Sequence, residues 1–239
     1  MKTPEDREID WRLAVAWRPS SEPSPQEGQL YDRIAVKLTA SIDPVTPEPA
    51  PWVTALLLGF VCLLSAAAAM WVMRAYGMTR MNAREELGIA SVLLFGLALA
   101  AISLAWQVTP ASLSRISAPA AIIVLVFAFA AGAVLLFPWS PSTSTATQGW
   151  NCLGTGLLVA GMAAGAFLLL LRRSVWLDKR AAAAALGALA GLAGAGALQF
   201  HCVMQEGSHL LVSHGGILLI SILAGAILGQ AAARHARGA

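Results

Sequence analysis

The chain has 239 residues, of which 57% are hydrophobic and only 12% are charged, with a formal net charge of +3 and a mean hydropathy of +0.67. Because soluble domains carry about a quarter charged residues, this composition excludes an ordinary soluble domain and indicates an integral membrane protein. The basic residues lie in short clusters between apolar runs, a pattern typical of topology determination rather than of nucleic-acid binding.

Residues 1–51 differ in composition from the rest of the chain, since they hold nine of the 13 acidic residues, six of the 16 basic residues and most of the prolines. Two short stretches carry apolar side chains at helical spacing, and these residues are Leu13 and Trp17 in the first stretch and Leu30, Ile34 and Leu38 in the second. Each stretch is too short to be stable as an isolated helix. We predict a cytoplasmic, partly disordered tail whose apolar faces bind a partner; the alternative is a disordered leader without a partner.

Six apolar runs follow, each near the roughly 20 residues that a helix needs to cross a bilayer, and none contains Asp, Glu, Lys or Arg. They cover residues 52–73, 87–107, 118–137, 150–171, 181–204 and 210–233. Tryptophans at or near their ends support these boundaries, and Gly-x3-Gly pairs in the last three runs allow close helix packing. We therefore predict an all-α, six-helix transmembrane bundle over residues 52–233, followed by a short cytoplasmic tail at 234–239.

The distribution of Lys and Arg predicts the orientation of the bundle. With the N-terminus in the cytoplasm, 13 basic residues face the cytoplasm and only Arg74, Arg80 and Arg84 face the opposite side. Positive charge favours the cytoplasmic side of a membrane, and an even number of spans places both termini on one side. We expect both the N- and C-termini in the cytoplasm.

Reactive side chains outside the tail are concentrated between residues 199 and 214, which hold three of the four histidines and one of the three cysteines. Under the predicted topology, Cys152 begins span four at the surface where span five ends and span six begins. Antiparallel spans joined by short loops are usually neighbours. We therefore expect an outward-facing pocket that contains Cys152, His201, Cys202, Glu206, His209 and His214.

Three chemistries suit this pocket: binding of a zinc-like, copper-like or cadmium-like ion, cycling between dithiol and disulfide, and titration of imidazole near neutral pH. Spacing does not choose among them. His201 and Cys202 are adjacent, so they point about 100° apart on a regular helix. His209, expected in the loop before span six, is five residues from His214, a poor chelating interval on one helix. No cofactor is required, and Cys62 in span one is expected to be a small buried hydrophobe.

The sequence also resembles a known family. Span four opens with Trp150-Asn151-Cys152 and is followed by a basic loop. A Gly/Ala-rich span then ends in His201-Cys202, and His214 opens the last span. This arrangement resembles the NrsF family. Its members are six-span proteins of the bacterial inner membrane that act as anti-sigma factors on an extracytoplasmic-function sigma factor. The resemblance covers roughly residues 28–233, and the segment Leu30–Pro44, with LTASIDPV, is similar to the short N-terminal leader of these proteins.

The resemblance implies a mechanism for this chain. The cytoplasmic leader would hold the sigma factor at the membrane, away from RNA polymerase. The outward cysteine pair, Cys152 and Cys202, would sense heavy metals or oxidants and release the sigma factor. Two departures from the family are visible: Ser213-His214 stands where members usually have Trp-His, and residues 1–27 extend beyond the usual leader.

Two other functions compete with this interpretation. The first is an integral membrane thiol oxidoreductase or metal-handling protein that uses the same pocket, with Glu206 and His209 as its acid–base pair; the absence of HExxH and CxxC motifs disfavours it. The second is a transporter, which is disfavoured because the six spans contain no Asp, Glu, Lys or Arg. We therefore predict a regulator rather than an enzyme, and the sequence leaves its stimulus and oligomeric state open.

Overall fold

The structure is a computed structural model of the chain. It describes residues 32–33, 50–73, 82–108, 117–139, 145–174, 176, 178–202 and 204–238. The chain divides into two units, Met1–Pro47 and Glu48–Ala239. The predicted partner-binding residues lie outside the described residues; these are Leu13, Trp17, Leu30, Ile34 and Leu38.

Within the second unit, the described residues form six long helices. The first five are α1 (Pro51–Met73), α2 (Ala83–Val108), α3 (Ala118–Leu136), α4 (Thr145–Leu170) and α5 (Lys179–His201). The sixth, α6, is composite: an α-helical turn at Gly207–His209, a π-helical turn at Leu210–His214, and an α-helix at Gly215–Gly238. All six are long and apolar enough to cross a membrane, which confirms the predicted all-α bundle of six spans.

Local sequence explains where two of these helices begin. Asn82 accepts a hydrogen bond from the backbone N–H of Glu85 and donates its own backbone N–H to the Glu85 carboxylate, both at 3.0 Å. This reciprocal pair is a capping box, which satisfies N–H groups that a helix start leaves free. At α5, the Asp178 carboxylate accepts from the backbone N–H groups of Arg180 and Ala181, both at 3.0 Å.

Helix α5 lies at the centre of the bundle and contacts all five of the other helices. Residues 182–199 are all buried. The sequence explains this position, because residues 181–198 contain only Ala, Gly and Leu. A helix that is apolar on every side belongs in the interior, and its small side chains let neighbouring helices approach closely.

Glycines set the short distance between α5 and α6. A Cβ added at Gly191 would lie 2.9 Å from the Cα of Leu218, and one added at Gly187 would meet the backbone carbonyl of Ser221. Because both neighbours are held in helical backbone, neither can move aside alone. The glycine pair predicted to allow close packing in span five therefore does so.

The equivalent pair in α4 behaves differently. A Cβ added at Gly161 or Gly165 would meet nothing within 4 Å among the described residues. These two glycines form no helix–helix contact of the kind predicted for them, and they leave an open strip on α4.

Large apolar side chains cover the outside of the bundle. Phe127 is 71% exposed, Leu135 is 73% exposed, and Trp71, at the end of α1, is 88% exposed. Such a surface would drive association in water, whereas it matches the hydrocarbon core of a bilayer. The chain is therefore a multi-pass membrane protein with six candidate spans.

Candidate functional site

Three helix ends meet at one end of the bundle and bring together two thiols and an imidazole. Cys152 lies in the second turn of α4, Cys202 directly follows α5, and His209 ends the first turn of α6. Their ligand atoms all lie within 4.8 Å of one another. These three residues are called the Cys–His cluster below.

The chain reversal between α5 and α6 positions two of these side chains. Helix α5 ends where Cys202 adopts an extended conformation, and the backbone N–H of Cys202 donates to the carbonyl of Leu198 at 2.7 Å. Helix α6 begins at Gly207, whose N–H donates to the carbonyl of Pro138 at 2.9 Å. A Cβ at Gly207 would lie 2.8 Å from the carbonyl oxygen of Ala133, so only glycine allows this close approach to α3.

This anchoring corrects one expectation from the sequence. Span five was expected to continue to Met204 and span six to begin at Leu210, which would leave His209 in a loop. Instead α5 ends three residues earlier and α6 begins three residues earlier, at Gly207. His209 is therefore held in helical backbone, with its side chain only 1% exposed.

Two interatomic distances in the Cys–His cluster match those of metal ligands, and the third, between Cys152 and His209, lies within 4.8 Å. The sulfurs of Cys152 and Cys202 are 3.8 Å apart, and the Cys202 sulfur is 3.3 Å from Nε2 of His209. Two sulfurs bound to one tetrahedral zinc ion lie about 3.8 Å apart, and a sulfur and an imidazole nitrogen lie about 3.5 Å apart. The cluster can therefore supply three ligands to one soft metal ion with little movement.

The same two sulfurs can also undergo redox chemistry. Both cysteines are free thiols. A disulfide requires a sulfur–sulfur distance of about 2.05 Å, so oxidation would need the 3.8 Å gap between the sulfurs to close by about 1.8 Å. Because the half-buried Cys152 is the eighth residue of α4 and Cys202 directly follows α5, the movement involves one end of the bundle rather than its packed middle.

Hydrogen bonding favours the thiolate form of Cys202. The Cys152 thiol lowers the pKa of Cys202 most, and His209 and His214 lower it further, against the opposing effect of burial. A thiolate is both the nucleophilic and the metal-binding form of cysteine. These hydrogen bonds therefore favour the metal-binding form of Cys202.

A cavity of about 230 Å³ lies beside the cluster, between the start of α4 and the start of α6. It is lined by Gly149, Trp150, Leu153, Ser208, His209, Val212 and Ser213. His209 belongs to both the cavity wall and the cluster, so the cavity lies directly beside one of the three ligand residues. The small side chain at Ser213, 3.1 Å from a Cβ placed on Gly149, leaves this space open.

His214 joins a second polar network rather than the ligand group. Its Nδ1 lies 3.2 Å from the side-chain carbonyl oxygen of Gln199. The Gln199 amide nitrogen donates to the Gln205 side-chain oxygen at 2.7 Å, and the Gln205 amide donates to the Cys202 carbonyl at 2.7 Å. This network ties the first turns of α6 to the end of α5 and to the backbone of Cys202.

The π-helical turn explains how His209 and His214 face each other. Their rings lie edge to face with centroids 5.5 Å apart. On an α-helix an interval of five residues separates two side chains, but a π-helix repeats its hydrogen bonds every five residues and aligns them. The five-residue interval, which argued against joint placement on a regular helix, is thus consistent with contact between the rings. Only His209 belongs to the group of ligand atoms with the two sulfurs.

The group of ligand atoms in the described residues is narrower than the set expected from sequence. It contains Cys152, Cys202 and His209, without His201, His214 or Glu206. His201 is the last residue of α5, and it does not belong to this group of ligand atoms in the described part of the chain. Gln199 and Gln205 were not predicted as site residues, because a pair of glutamines six residues apart carries no motif.

A family model described as "NrsF: Negative regulator of sigma F" matches residues 38–235, a range that includes the complete Cys–His cluster. A search of curated proteins found no match, and a search of solved structures found none either.

Proposed function

The chain belongs to the NrsF family of negative regulators of sigma factors, a family of regulators rather than enzymes, and from this premise we propose that it is a membrane-bound anti-sigma factor with a metal-responsive switch. In this proposal the N-terminal tail holds an extracytoplasmic-function sigma factor at the bacterial inner membrane. Binding of a soft metal ion, or oxidation, at the Cys–His cluster releases it. The observation that carries the sensing step is the approach of two sulfurs and one imidazole nitrogen to within 4.8 Å.

The proposed orientation places both termini in the cytoplasm and the Cys–His cluster on the opposite side. It is supported by the excess of Lys and Arg in the segments assigned to the cytoplasm, 13 against three. A reporter enzyme that is active only in the cytoplasm, fused after Ala239, should be active. Activity of a periplasm-specific reporter at the same position would reverse the topology.

The sigma-binding role of residues 1–51 rests on their amphipathic composition and on the family. Leu30, Ile34 and Leu38 are spaced four residues apart, so a helix formed on the partner would place them on one face for an apolar groove, with Leu13 and Trp17 as additional anchors. The test immobilises residues 1–51 and, in parallel, the full chain in detergent, and identifies captured sigma factors by mass spectrometry. Capture by both supports the proposal, and capture by neither would refute it.

The metal branch of the proposal makes His209 as important as the two cysteines. In cells with a promoter reporter for the sigma factor, Cys152→Ser and Cys202→Ser should abolish the response to both Cd²⁺ and an oxidant. His209→Gln should abolish or weaken only the response to Cd²⁺, because disulfide formation requires no imidazole ligand. His201→Gln is the matched control, since it removes an adjacent histidine from outside the ligand group.

Each outcome of that experiment separates the two stimuli. Loss of both responses in His209→Gln, with normal protein levels, would show that His209 supports the thiols rather than binding a metal. A normal Cd²⁺ response in His209→Gln would remove it from the ligand set. A normal response to both agents in the double cysteine variant would refute the sensing role of the Cys–His cluster altogether.

Helix α5 is the physical connection that we propose between the cluster and the tail. It ends next to Cys202 and packs against α1, the helix that follows the tail, where the Cys62 thiol donates to the carbonyl of Leu189 at 3.5 Å. A shift at the end of α5 therefore reaches α1 through direct packing. Hydrogen exchange of residues 1–51 in the sigma-bound protein should rise on adding Cd²⁺; unchanged exchange while the sigma factor is released would contradict this route.

A further inference from the structure

A long groove runs between α4 and α6 at the end of the bundle opposite the Cys–His cluster. Its volume is about 540 Å³, within the range of ligand-binding clefts, and its floor is α5. Its lining is apolar and includes Gly161, Ala164, Leu168, Ala183, Gly225 and Leu228.

The groove exists because α4 and α6 converge at one end and separate towards the other. Near the cluster, a Cβ on Gly216 of α6 would lie 3.3 Å from Leu153 of α4. Towards the end of α4, a Cβ on Gly161 or Gly165 would meet nothing within 4 Å among the described residues. The side chains along this strip are too small to fill the resulting gap, which is open among the described residues.

The wide end of the groove is basic. Lys179 and Trp176 line the groove itself. Four exposed arginines lie at the same end of these helices. Arg172 and Arg173 follow α4, Arg180 lies near the start of α5, and Arg234 lies near the end of α6. The acidic residue among the described positions between α4 and α5 is Asp178, and its carboxylate is engaged as the cap of α5. The mouth of the groove therefore carries a net positive charge.

We propose that this groove binds one anionic phospholipid, with an acyl chain along α5 and the phosphate at Lys179. The apolar walls match an acyl chain, the cations match a phosphate, and Trp176 lies where aromatic side chains meet lipid headgroups. Basic pockets between membrane helices are suited to anionic headgroups. A second copy of this chain in the same orientation would instead bring two basic mouths together, which like-charge repulsion opposes.

Native mass spectrometry of the full chain in detergent tests this assignment. The probes are phosphatidylglycerol and phosphatidylcholine with identical acyl chains, each added at equal concentration. We expect one phosphatidylglycerol molecule to be retained in preference to phosphatidylcholine. Lys179→Gln should weaken retention about fivefold, as expected for one basic residue near an anionic headgroup, whereas Arg84→Gln, which removes one charge at the start of α2, should leave it unchanged.

Two glycine variants separate the groove from the general apolar surface. Gly161→Phe should fill the groove and abolish selective retention, because an added Cβ there meets open space and the fold tolerates it. Gly59→Phe is the matched control, since a Cβ at Gly59 on α1 also meets nothing within 4 Å. It should retain phosphatidylglycerol as the unmodified chain does.

Three results would overturn the proposal. The first is equal retention of the two lipids by the unmodified chain. The second is retention by Gly161→Phe at the level of the unmodified chain. The third is a dimer that Gly161→Phe converts to monomer, since the groove would then be an interface between two copies.

Discussion

Replacing Gly187 by alanine tests whether close backbone packing of α5 against α6 holds the bundle together. The added Cβ would meet the carbonyl oxygen of Ser221 and lie 2.8 Å from its carbonyl carbon and 3.1 Å from the Cα of Ile222. Ordinary van der Waals contact begins at 3.4 Å. All three atoms belong to the helical backbone of α6, so the two helices must separate by several tenths of an ångström over their contact.

Two opposing contributions determine the expected change in the free energy of unfolding. Alanine is favoured over glycine in a helix by about 0.8–1.0 kcal/mol. Forcing an extra methyl group into a packed interior costs about 1–3 kcal/mol. In Gly161→Ala, on α4, the first contribution acts alone, because its Cβ meets nothing within 4 Å. The difference between the two variants therefore isolates the packing cost.

The assay is reversible unfolding of the detergent-solubilised chain by a denaturing detergent, followed by circular dichroism. We expect Gly187→Ala to be about 1–3 kcal/mol less stable than Gly161→Ala, which corresponds to roughly a 5- to 160-fold change in the unfolding equilibrium. Equal stability of the two variants would refute the reasoning, because it would mean that α5 and α6 can separate without loss.

Two further predictions concern Cys202 and the start of α5. Hydrogen bonds lower the pKa of Cys202, so its rate of alkylation in a Cys62→Ala background should change little between about pH 8 and about pH 6. An ordinary thiol of pKa about 8.5 is alkylated roughly 75-fold more slowly at the lower pH. Peptide mass spectrometry measures the rates, and an ordinary pH dependence would contradict the hydrogen-bonded thiolate. Asp178→Ala should lower the free energy of unfolding by about 1 kcal/mol through loss of the α5 cap. Asp178→Asn should retain most of it because the amide oxygen can accept the same hydrogen bonds, and equal effects of the two substitutions would contradict a capping role.

The helix count and the approximate spans follow from the sequence because the membrane imposes a single strong requirement. A segment that crosses it must be helical and apolar for about 20 residues, and that pattern is visible without any knowledge of tertiary contacts. The central position of α5 was not predicted, although its composition of Ala, Gly and Leu carries the signal. A helix with no large side chains is the one that five neighbours can surround.

The ends of α5 and α6 were harder to predict because they depend on contacts distant in sequence. The early start of α6 requires Gly207 to approach the backbone of α3 near Ala133 and Pro138, about 70 residues away in the chain. The π-helical turn likewise has no simple sequence signal. As a result, the sequence indicated that Cys152, Cys202 and His209 belong to one pocket, but it could not distinguish them from His201 and His214.

The positions of the cluster and the groove suggest how one end of the bundle can affect the other. Helices α4 and α6 meet near the Cys–His cluster and separate along the groove, while α5 contacts both along its length. A metal ion bound by Cys152 and His209 would hold the converging ends of α4 and α6 at a fixed separation. Because packed helices move as rigid bodies rather than bending freely, a change of that separation changes the width of the groove. An anionic lipid in the groove would resist narrowing of the groove, so its binding should change the metal affinity of the Cys–His cluster. By thermodynamic linkage, metal binding should change the lipid affinity of the groove by the same factor.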